Sequence, residues 1–250
     1  MSTGDLLPFF EERFGEVDAY LELLDQVETA TQSGVPRIAG SNYPISADQQ
    51  KILYSSVYLQ LYNLVEATMA RCVAAITDAA AAAGQWQPHD LNEYLHQEWV
   101  RAVAGTHIEL SPVNRLKYAL RMSDHIVNKL PVSTFAIDTG GGGNWDDESI
   151  HEMAKRLGCQ ISLSKPTQEG VKRQKRDGLG PLKLVKNRRN SLAHGSISFV
   201  DCADGVAVSE LRETAENIEK YLREVIDNFK QYIDSFDFLR PISRPNGATT

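Results

Sequence analysis

The stretch VKNRRNSLAHG, residues 185–195, decides the fold and the function that this sequence predicts. It contains two adjacent arginines, Arg188 and Arg189, and ends on His194 and Gly195. A glycine directly after a run of helix-forming residues is typical of a helix C-terminus. The sequence therefore predicts that the histidine lies at the end of a helix.

Asn190 lies between the arginines and the histidine. Asn190 and His194 are four residues apart, so they lie on nearly the same face of a helix. Arg189 lies about 140° around the helix axis from His194, at roughly 100° per residue. Arg189 and His194 of one chain therefore need not touch.

The pattern Arg189-Asn190-x-x-x-His194 resembles the Arg-Asn-x-x-x-His signature of the HEPN superfamily, all-helical domains that include metal-independent RNA endonucleases. Three further stretches, in the same order along the chain, are similar to the MAE-type HEPN-like nucleases. They are SSVYLQLYNLVEATM (55–69), GGNWDDESIHEMAKRLG (142–158) and HGSISFVD (194–201). Arg188 also precedes His194 at an allowed spacing, so the register of the motif arginine stays open.

The resemblance implies a homodimer in which Arg189 and His194 of both protomers form one composite active site. A histidine can act as base or acid near neutral pH, and an arginine can clamp a phosphate with two hydrogen bonds. Asn190 would position the histidine or the phosphate, and Ser191 is a weaker candidate. The expected reaction is attack by the RNA 2′-hydroxyl, which leaves a 2′,3′-cyclic phosphate and a 5′-hydroxyl without a metal.

A cation-rich run leads into the motif. Residues 171–189 contain eight basic residues and one acid, a local charge of +7 in a chain of net charge −7, so the rest of the chain carries −14. We interpret the run as a phosphate-contacting surface for RNA, against the alternative of a solvated charge run. The predicted RNA-binding residues are Lys172, Arg173, Lys175, Arg176, Lys183, Lys186 and Arg188.

Periodic apolar residues and capping signals predict an all-α fold, a HEPN-like up-and-down bundle of long helices. The predicted helices cover about 5–32, 46–83, 90–104, 111–129, 146–158, 181–194 and 209–238. Their predicted N-caps include Ser46, in a capping box with Gln49, and Ser209. The inserted short helix at 146–158 carries no assigned chemistry. Alternating residues around an Asp-Gly pair predict a small β-hairpin between 197 and 209. We expect a single domain, 1–239, and a disordered tail, 240–250.

Glu66 lies in the most apolar part of the second helix. A buried carboxylate is costly unless it is paired, so a partner such as an arginine is expected there. Paired in this way, Glu66 would orient the motif across the bundle. An exposed helix carboxylate is the equally open alternative.

Composition excludes several classes of protein. No apolar run approaches the ~20 residues that span a bilayer, and the acidic N-terminus does not resemble a secretory signal. The cysteines lack CxxC spacing, and the histidines lack metal-binding spacing. We therefore expect a cytoplasmic protein with no membrane contact, no metal and no cofactor.

Two functions remain open. The first is a ribonuclease that acts as a toxin or as an effector of antiphage defence. The second is a non-catalytic HEPN module that binds RNA, or a scaffold or sensor of a defence or toxin–antitoxin system. Either function is compatible with an antitoxin or another defence protein as a partner.

Overall fold

The computed structural model describes residues 5–106, 108–140 and 144–245, with residue 83 described by its backbone alone. Helices dominate this part of the chain, and the predicted all-α bundle is confirmed. The helices are α1 (Leu6–Thr31), α2 (Ala47–Ala81), α3 (Glu93–Ala104), α4 (Pro112–Val127), α5 (Asp147–Arg156), α6 (Lys165–Lys172), α7 (Pro181–Ala193), α8 (Phe199–Cys202) and α9 (Val208–Asp234). Short 3-10 turns occur at Ala82–Gly84, Pro88–Asp90, Arg176–Gly178 and Pro241–Ser243.

Helix α2 is the central element of the bundle. It begins with the predicted capping box, in which Ser46 Oγ accepts from Gln49 N–H at 3.2 Å and Gln49 Oε1 accepts from Ser46 N–H at 2.9 Å. The helix packs against α1, α7, α8 and α9. Its buried face therefore contributes to one hydrophobic core that all of these helices share.

Helix α9 begins without the predicted cap. Its first residue is Val208, and Glu28 of α1 accepts a hydrogen bond from the Val208 N–H at 3.1 Å. The expected cap by Ser209 is therefore wrong. A carboxylate from another helix satisfies this N-terminus, which local sequence patterns do not reveal.

The predicted β-hairpin between 197 and 209 is also wrong. Ser198 Oγ accepts from the Asp201 N–H at 3.0 Å and caps the short helix α8, so the chain turns helically. Cys202 and Ala203 are then buried in the core. Two antiparallel strands of two residues each occur elsewhere, β1 (Arg37–Ile38) and β2 (Tyr43–Pro44).

Helix α3 begins later than predicted. Asp90 ends a 3-10 turn, and Asn92 caps α3 by accepting from the Leu95 N–H at 2.8 Å. Helix α6 was not predicted, although Ser164 followed by Pro166 matches the pattern of a helix start.

The tail also differs from expectation over its first residues. The Arg240 N–H donates to the Asp90 carbonyl at 2.8 Å, and Ser243 Oγ lies 2.8 Å from Asp90 Oδ1. These bonds fix residues 240–243 beside the 3-10 turn Pro88–Asp90, which corrects the predicted disorder there. Residues 246–250 of the tail lie outside the described residues, as do residues 141–143. The single-domain assignment stays a prediction.

Helix α5, the inserted helix, is joined to α3 by a buried charge. Glu98 of α3 is 2% exposed, and Arg156 at the end of α5 donates to it from Nε at 2.8 Å. Arg101 binds the same carboxylate. A buried carboxylate held by two guanidinium groups fixes the C-terminal end of α5, since separating them would leave an unpaired charge in the core.

Cys72, Cys159 and Cys202 are free and buried. Burial raises the pKa of the Cys72 thiol to about 12.

In the described ranges, none of the helices combines the length and the apolar character that a bilayer crossing requires.

Candidate active site

Helix α7 ends as the sequence predicts. Gly195 has φ +67°, its N–H donates to the Leu192 carbonyl at 3.2 Å, and the Ser196 N–H donates to the Ser191 carbonyl at 2.9 Å. These two bonds form a Schellman motif, which satisfies the last carbonyl groups of the helix. His194 is the C-cap residue, and its side chain is exposed. The motif histidine is therefore held by its backbone and presented to solvent.

Arg189 lies against the centre of the bundle. Its guanidinium carbon is 4.5 Å from the centroid of the Tyr62 ring, and Tyr62 is fully buried in α2. Arg189 Nη1 also donates to Asn190 Oδ1 at 3.0 Å. A cation–π contact of this kind contributes roughly 0.5–2 kcal/mol. The ring and the amide together restrict the rotamers of an otherwise flexible side chain.

The motif residues therefore have different surroundings within one chain. Asn190 holds the arginine by its side chain, and its main-chain carbonyl accepts from the His194 N–H at 3.0 Å. No contact between the side chains of Arg189 and His194 occurs in the described part of the molecule. This agrees with their angular separation on the helix, and Asn190 contacts the arginine side chain rather than the imidazole.

Arg188 faces a different neighbour. Its Nη2 lies 2.8 Å from Asp177 Oδ2, and its Nε is buried without a hydrogen-bond partner among the described residues. Arg188 is thus engaged in an ion pair, while Arg189 is held by a ring and a neutral amide. This difference favours Arg189 as the arginine whose charge is available to a ligand.

The N-terminus of α5 contacts the motif helix directly. The Trp145 N–H donates to the Tyr62 hydroxyl at 3.3 Å, and Lys186 of α7 forms an ion pair with Asp146. Asp146 also caps α5 by accepting from the Ser149 N–H at 3.0 Å. Tyr62 therefore contacts the insert through its hydroxyl and the motif arginine through its ring.

Asp146 is 4% exposed, so its charge depends on these partners. Burial opposes ionisation, but the hydrogen bonds from Lys186 and Ser149 outweigh it, and the pKa of the carboxyl lies below its ordinary value of 3.8. The ion pair is therefore intact at neutral pH.

Most of the predicted RNA-binding residues have acidic partners in space. Arg176 Nε lies 3.0 Å from Glu210, Arg173 lies 3.8 Å from Glu213, and Lys175 pairs with the same Glu213. Together with the pairs of Arg188 and Lys186, five of the seven predicted side chains face a carboxylate. The run is therefore far less electropositive than its local charge of +7 suggests.

Lys172 and Lys183 differ from the other members of the run. Both are exposed, and neither has an acidic partner among the described residues. They are the two side chains of the predicted set whose charge is not neutralised by a neighbouring carboxylate.

Glu66 and Ser191 acquire no defined role. Glu66 is half-buried, one helical turn after Tyr62, and no ion pair reaches it within the described residues. The expected arginine partner is therefore wrong. Ser191 is half-buried, and its main-chain carbonyl accepts the bonds that close the end of α7.

A comparison with protein-family models matches residues 5–238 to the family described as MAE_28990-like HEPN. The chain belongs to this HEPN family. Comparisons with curated proteins and with solved structures give no match. HEPN membership suggests a nuclease or another RNA-related function. Within the described residues of this HEPN protein, no group of His, Cys, Asp or Glu side chains is arranged to hold a metal ion.

Sequence reasoning missed three residues that organise the HEPN motif, namely Tyr62, Trp145 and Asp146. All three lie in the two stretches, 55–69 and 142–158, that carry the family resemblance. The signal in the sequence was thus the family resemblance of the two stretches, because their aromatic content does not set them apart from the rest of the chain. Their contact with Arg189 and Lys186 depends on packing between distant segments.

We predict that Asp146→Asn lowers the free energy of unfolding by about 1–3 kcal/mol at pH 7, because Asn keeps the helix cap but loses the charge pair with Lys186. A carboxyl whose pKa is lowered by folding stabilises the protein above its unfolded-state pKa and loses that contribution as pH falls. The difference in the free energy of unfolding between wild type and Asp146→Asn should therefore shrink as the pH falls below about 4. It should vanish once the pH is below the native-state pKa of Asp146.

Chemical denaturation of both proteins across this pH range measures the effect. Asp147→Asn is the matched control, since it changes a neighbouring carboxyl in the same helical turn without touching Lys186. A wild type and an Asp146→Asn variant of equal stability at pH 7 would contradict the assignment.

Proposed function

We propose that this HEPN protein is a metal-independent endoribonuclease whose active site contains Arg189 and His194. The observation that supports this most is an exposed imidazole at the end of the same helix that holds an arginine on a buried aromatic ring. Restricted side chains favour catalysis because less entropy is lost when the reacting groups are aligned.

In the proposed reaction, the 2′-oxygen of a ribose loses its proton and attacks the adjacent phosphorus. The bond from phosphorus to the 5′-oxygen then breaks, the 5′-oxygen takes up a proton, and a 2′,3′-cyclic phosphate remains. His194 exchanges a proton with one of these oxygens. Arg189 neutralises the charge that develops on the non-bridging oxygens, and Asn190 orients Arg189.

The proposed site is composite and requires a second copy of the chain. Within one chain, Arg189 contacts Tyr62 while His194 projects into solvent from the helix end. A two-fold axis near the end of α7 would bring Arg189 of one protomer toward His194 of the other. Such an interface is isologous, so both protomers contribute both residues.

A non-catalytic RNA-binding role is the second candidate, and the exposed Lys172 and Lys183 favour it. Two exposed lysines without carboxylate partners can contact phosphates whether or not the strand is cleaved. In either case the cellular setting that we propose is a cytoplasmic toxin–antitoxin or antiphage defence system with a partner protein. The basis for that setting is the family resemblance alone.

We expect wild-type protein to cleave single-stranded RNA in EDTA, and His194→Ala to reduce the rate by roughly 10²–10⁴-fold, as loss of a general acid or base does. End-labelled RNA, resolved on a denaturing gel, gives both rates. His151→Ala is the control, because it removes another exposed histidine. Equal cleavage by wild type and His194→Ala would refute the assignment. RNA that stays intact with wild type as well would favour the binding role.

Mixing two inactive variants tests the composite site. A heterodimer of Arg189→Gln and His194→Ala carries one intact Arg189 and one intact His194 on opposite protomers. After subunit exchange at equal amounts, half of the dimers are mixed. Each mixed dimer has one intact Arg189–His194 pair, whereas a wild-type dimer has two. Activity should therefore recover to at most roughly a quarter of the wild-type value. An active wild type with no recovery in the mixture would contradict a site in which one Arg189 and one His194 from opposite protomers are sufficient.

Salt dependence tests the surface around the site. We expect the double variant Lys172→Gln/Lys183→Gln to reduce the magnitude of the slope of log affinity against log salt concentration by about two. This is roughly one for each phosphate that the variant no longer binds. Arg173→Gln with Lys175→Gln, which removes the same formal charge but from residues paired with Glu213, should change the slope less. Fluorescence anisotropy of a labelled RNA measures both variants. An equal effect of the two pairs would show that ion pairing does not select the contacting residues.

A further inference from the structure

Helix α4 is largely exposed on the outside of the bundle. It packs mainly against α3. The face that packs there contains Tyr118 and Met122, which are half-buried, and His125, which is buried. The ring centroid of His125 lies 5.3 Å from that of Trp99 in α3. The remaining faces of α4 are exposed to solvent.

The exposed side of α4 carries a regular row of mostly apolar residues. Its four apolar members are between 58% and 77% exposed, and a serine completes the row. We call this row the α4 seam: Val113, Leu116, Leu120, Ser123 and Val127. Steps of three and four residues alternate along it, which is the a and d spacing of a helix that packs against another helix.

The α4 seam lies on the side of the helix away from α3. At roughly 100° per residue, its centre is about 170° around the helix axis from the centre of the packed face. The bundle therefore cannot bury the seam while α4 keeps its contact with α3. An exposed apolar row of this kind marks an interaction surface.

The seam is complementary to a second copy of itself. In an antiparallel pair of helices, each a position faces a d position of the other helix. One register places Leu116 against Val127 of the second copy and Leu120 against Ser123 of the second copy. A two-fold axis repeats both contacts, so all of the seam's central positions are covered at once.

Charged residues beside the seam select the antiparallel direction. Lys117 and Asp124 each follow directly after a d position, so they share one edge of the seam. Both are exposed, and neither forms an ion pair within the described residues. In the antiparallel register, Lys117 faces Asp124 of the second copy, and the two-fold axis repeats this pair. A parallel pair would instead place them against Pro112 and Ala119, which carry no charge.

We propose that α4 is an interaction surface for a second copy of this chain, with the two α4 helices antiparallel. The seams are buried between the helices, and two Lys117–Asp124 pairs flank them. The seam covers about two heptads, so the interface is small and reversible. The proposal uses no residue of α7, so it is independent of the two-fold axis near the motif.

Disulfide cross-linking of the full chain tests the register. The two cysteines of Leu116→Cys/Val127→Cys lie about 16 Å apart along one helix, at roughly 1.5 Å per residue, too far to bond within a chain. Oxidised glutathione should convert this double variant into a covalent dimer, read on a non-reducing gel. Each single variant should form little, because its cysteine faces a residue that is not cysteine. The native cysteines are buried.

Asn114→Cys/Arg121→Cys is the matched control, because both positions are exposed on α4 outside the seam. We expect its covalent dimer to form at least tenfold more slowly. Equal rates for the two double variants would show random collision and overturn the proposal, as would the absence of a dimer. Single variants that cross-link as fast as the double variant would overturn the antiparallel direction.

Charge exchange tests the flanking pairs in the Leu116→Cys/Val127→Cys background. Lys117→Glu places like charges opposite each other twice per dimer, so cross-linking should slow severalfold. Adding Asp124→Lys restores opposite charges and should restore the rate. A rate that Lys117→Glu leaves unchanged, or that the exchange does not restore, would contradict the register.

Leu120→Glu separates a second copy from a lipid surface as the occupant. The substitution puts a charge into the seam and should slow cross-linking at least tenfold, while the fold is kept because Leu120 is 58% exposed. Vesicles of phosphatidylglycerol are the second probe, since Arg115 and Arg121 flank the helix with positive charge. Vesicle binding that Leu120→Glu abolishes, with no cross-linking of the cysteine variant, would assign the seam to lipid and overturn the proposal.

Discussion

The geometry of the motif depends on the contact between the Arg189 guanidinium and the buried ring of Tyr62. An arginine on the surface of a helix samples many rotamers, and fixing it costs conformational entropy. Here the face of the ring lies 4.5 Å from the guanidinium carbon, and Asn190 supplies a neutral acceptor. Neither partner neutralises the charge. The arginine is thus restrained in position while its attraction for an anion is preserved.

The neighbouring cations differ from Arg189, because the groups that restrain them also neutralise their charge. Arg188, Arg176 and Lys186 are held by carboxylates, which restrain them and also cancel their charge. Such pairs connect elements: Lys186 connects α7 to the start of α5, and Arg176 connects the turn before α7 to α9. The basic run before the motif is therefore mainly a set of structural contacts.

How far the sequence predicts this protein depends on the range of the interaction concerned. Local signals were sufficient for the capping box at Ser46 and for Gly195, because the atoms that satisfy these helix ends lie a few residues away. They failed at Val208, whose N–H is satisfied by Glu28 of another helix, and at 197–209, where the Ser198 hydroxyl selects a helical turn over a strand. The candidate site likewise contains residues that a local pattern identifies and residues that only tertiary packing brings together. Arg189, Asn190 and His194 could be identified from a short motif, whereas Tyr62 and the carboxylates that neutralise the basic run are brought in by tertiary packing.

Helix α5 shows how an insert can serve the motif without contributing a reacting group. Its first turn is fixed to α7 through Asp146 and Lys186, and its last residue, Arg156, is fixed to the buried Glu98 of α3. A movement of α5 away from the bundle would separate both charge pairs and expose Trp145, which is 6% exposed. Each buried pair would leave an unpaired charge, and such a loss costs several kcal/mol. Because both ends are restrained in this way, α5 acts as a brace between α3 and the motif helix, and the Trp145 hydrogen bond to Tyr62 extends that support to the ring on which Arg189 rests.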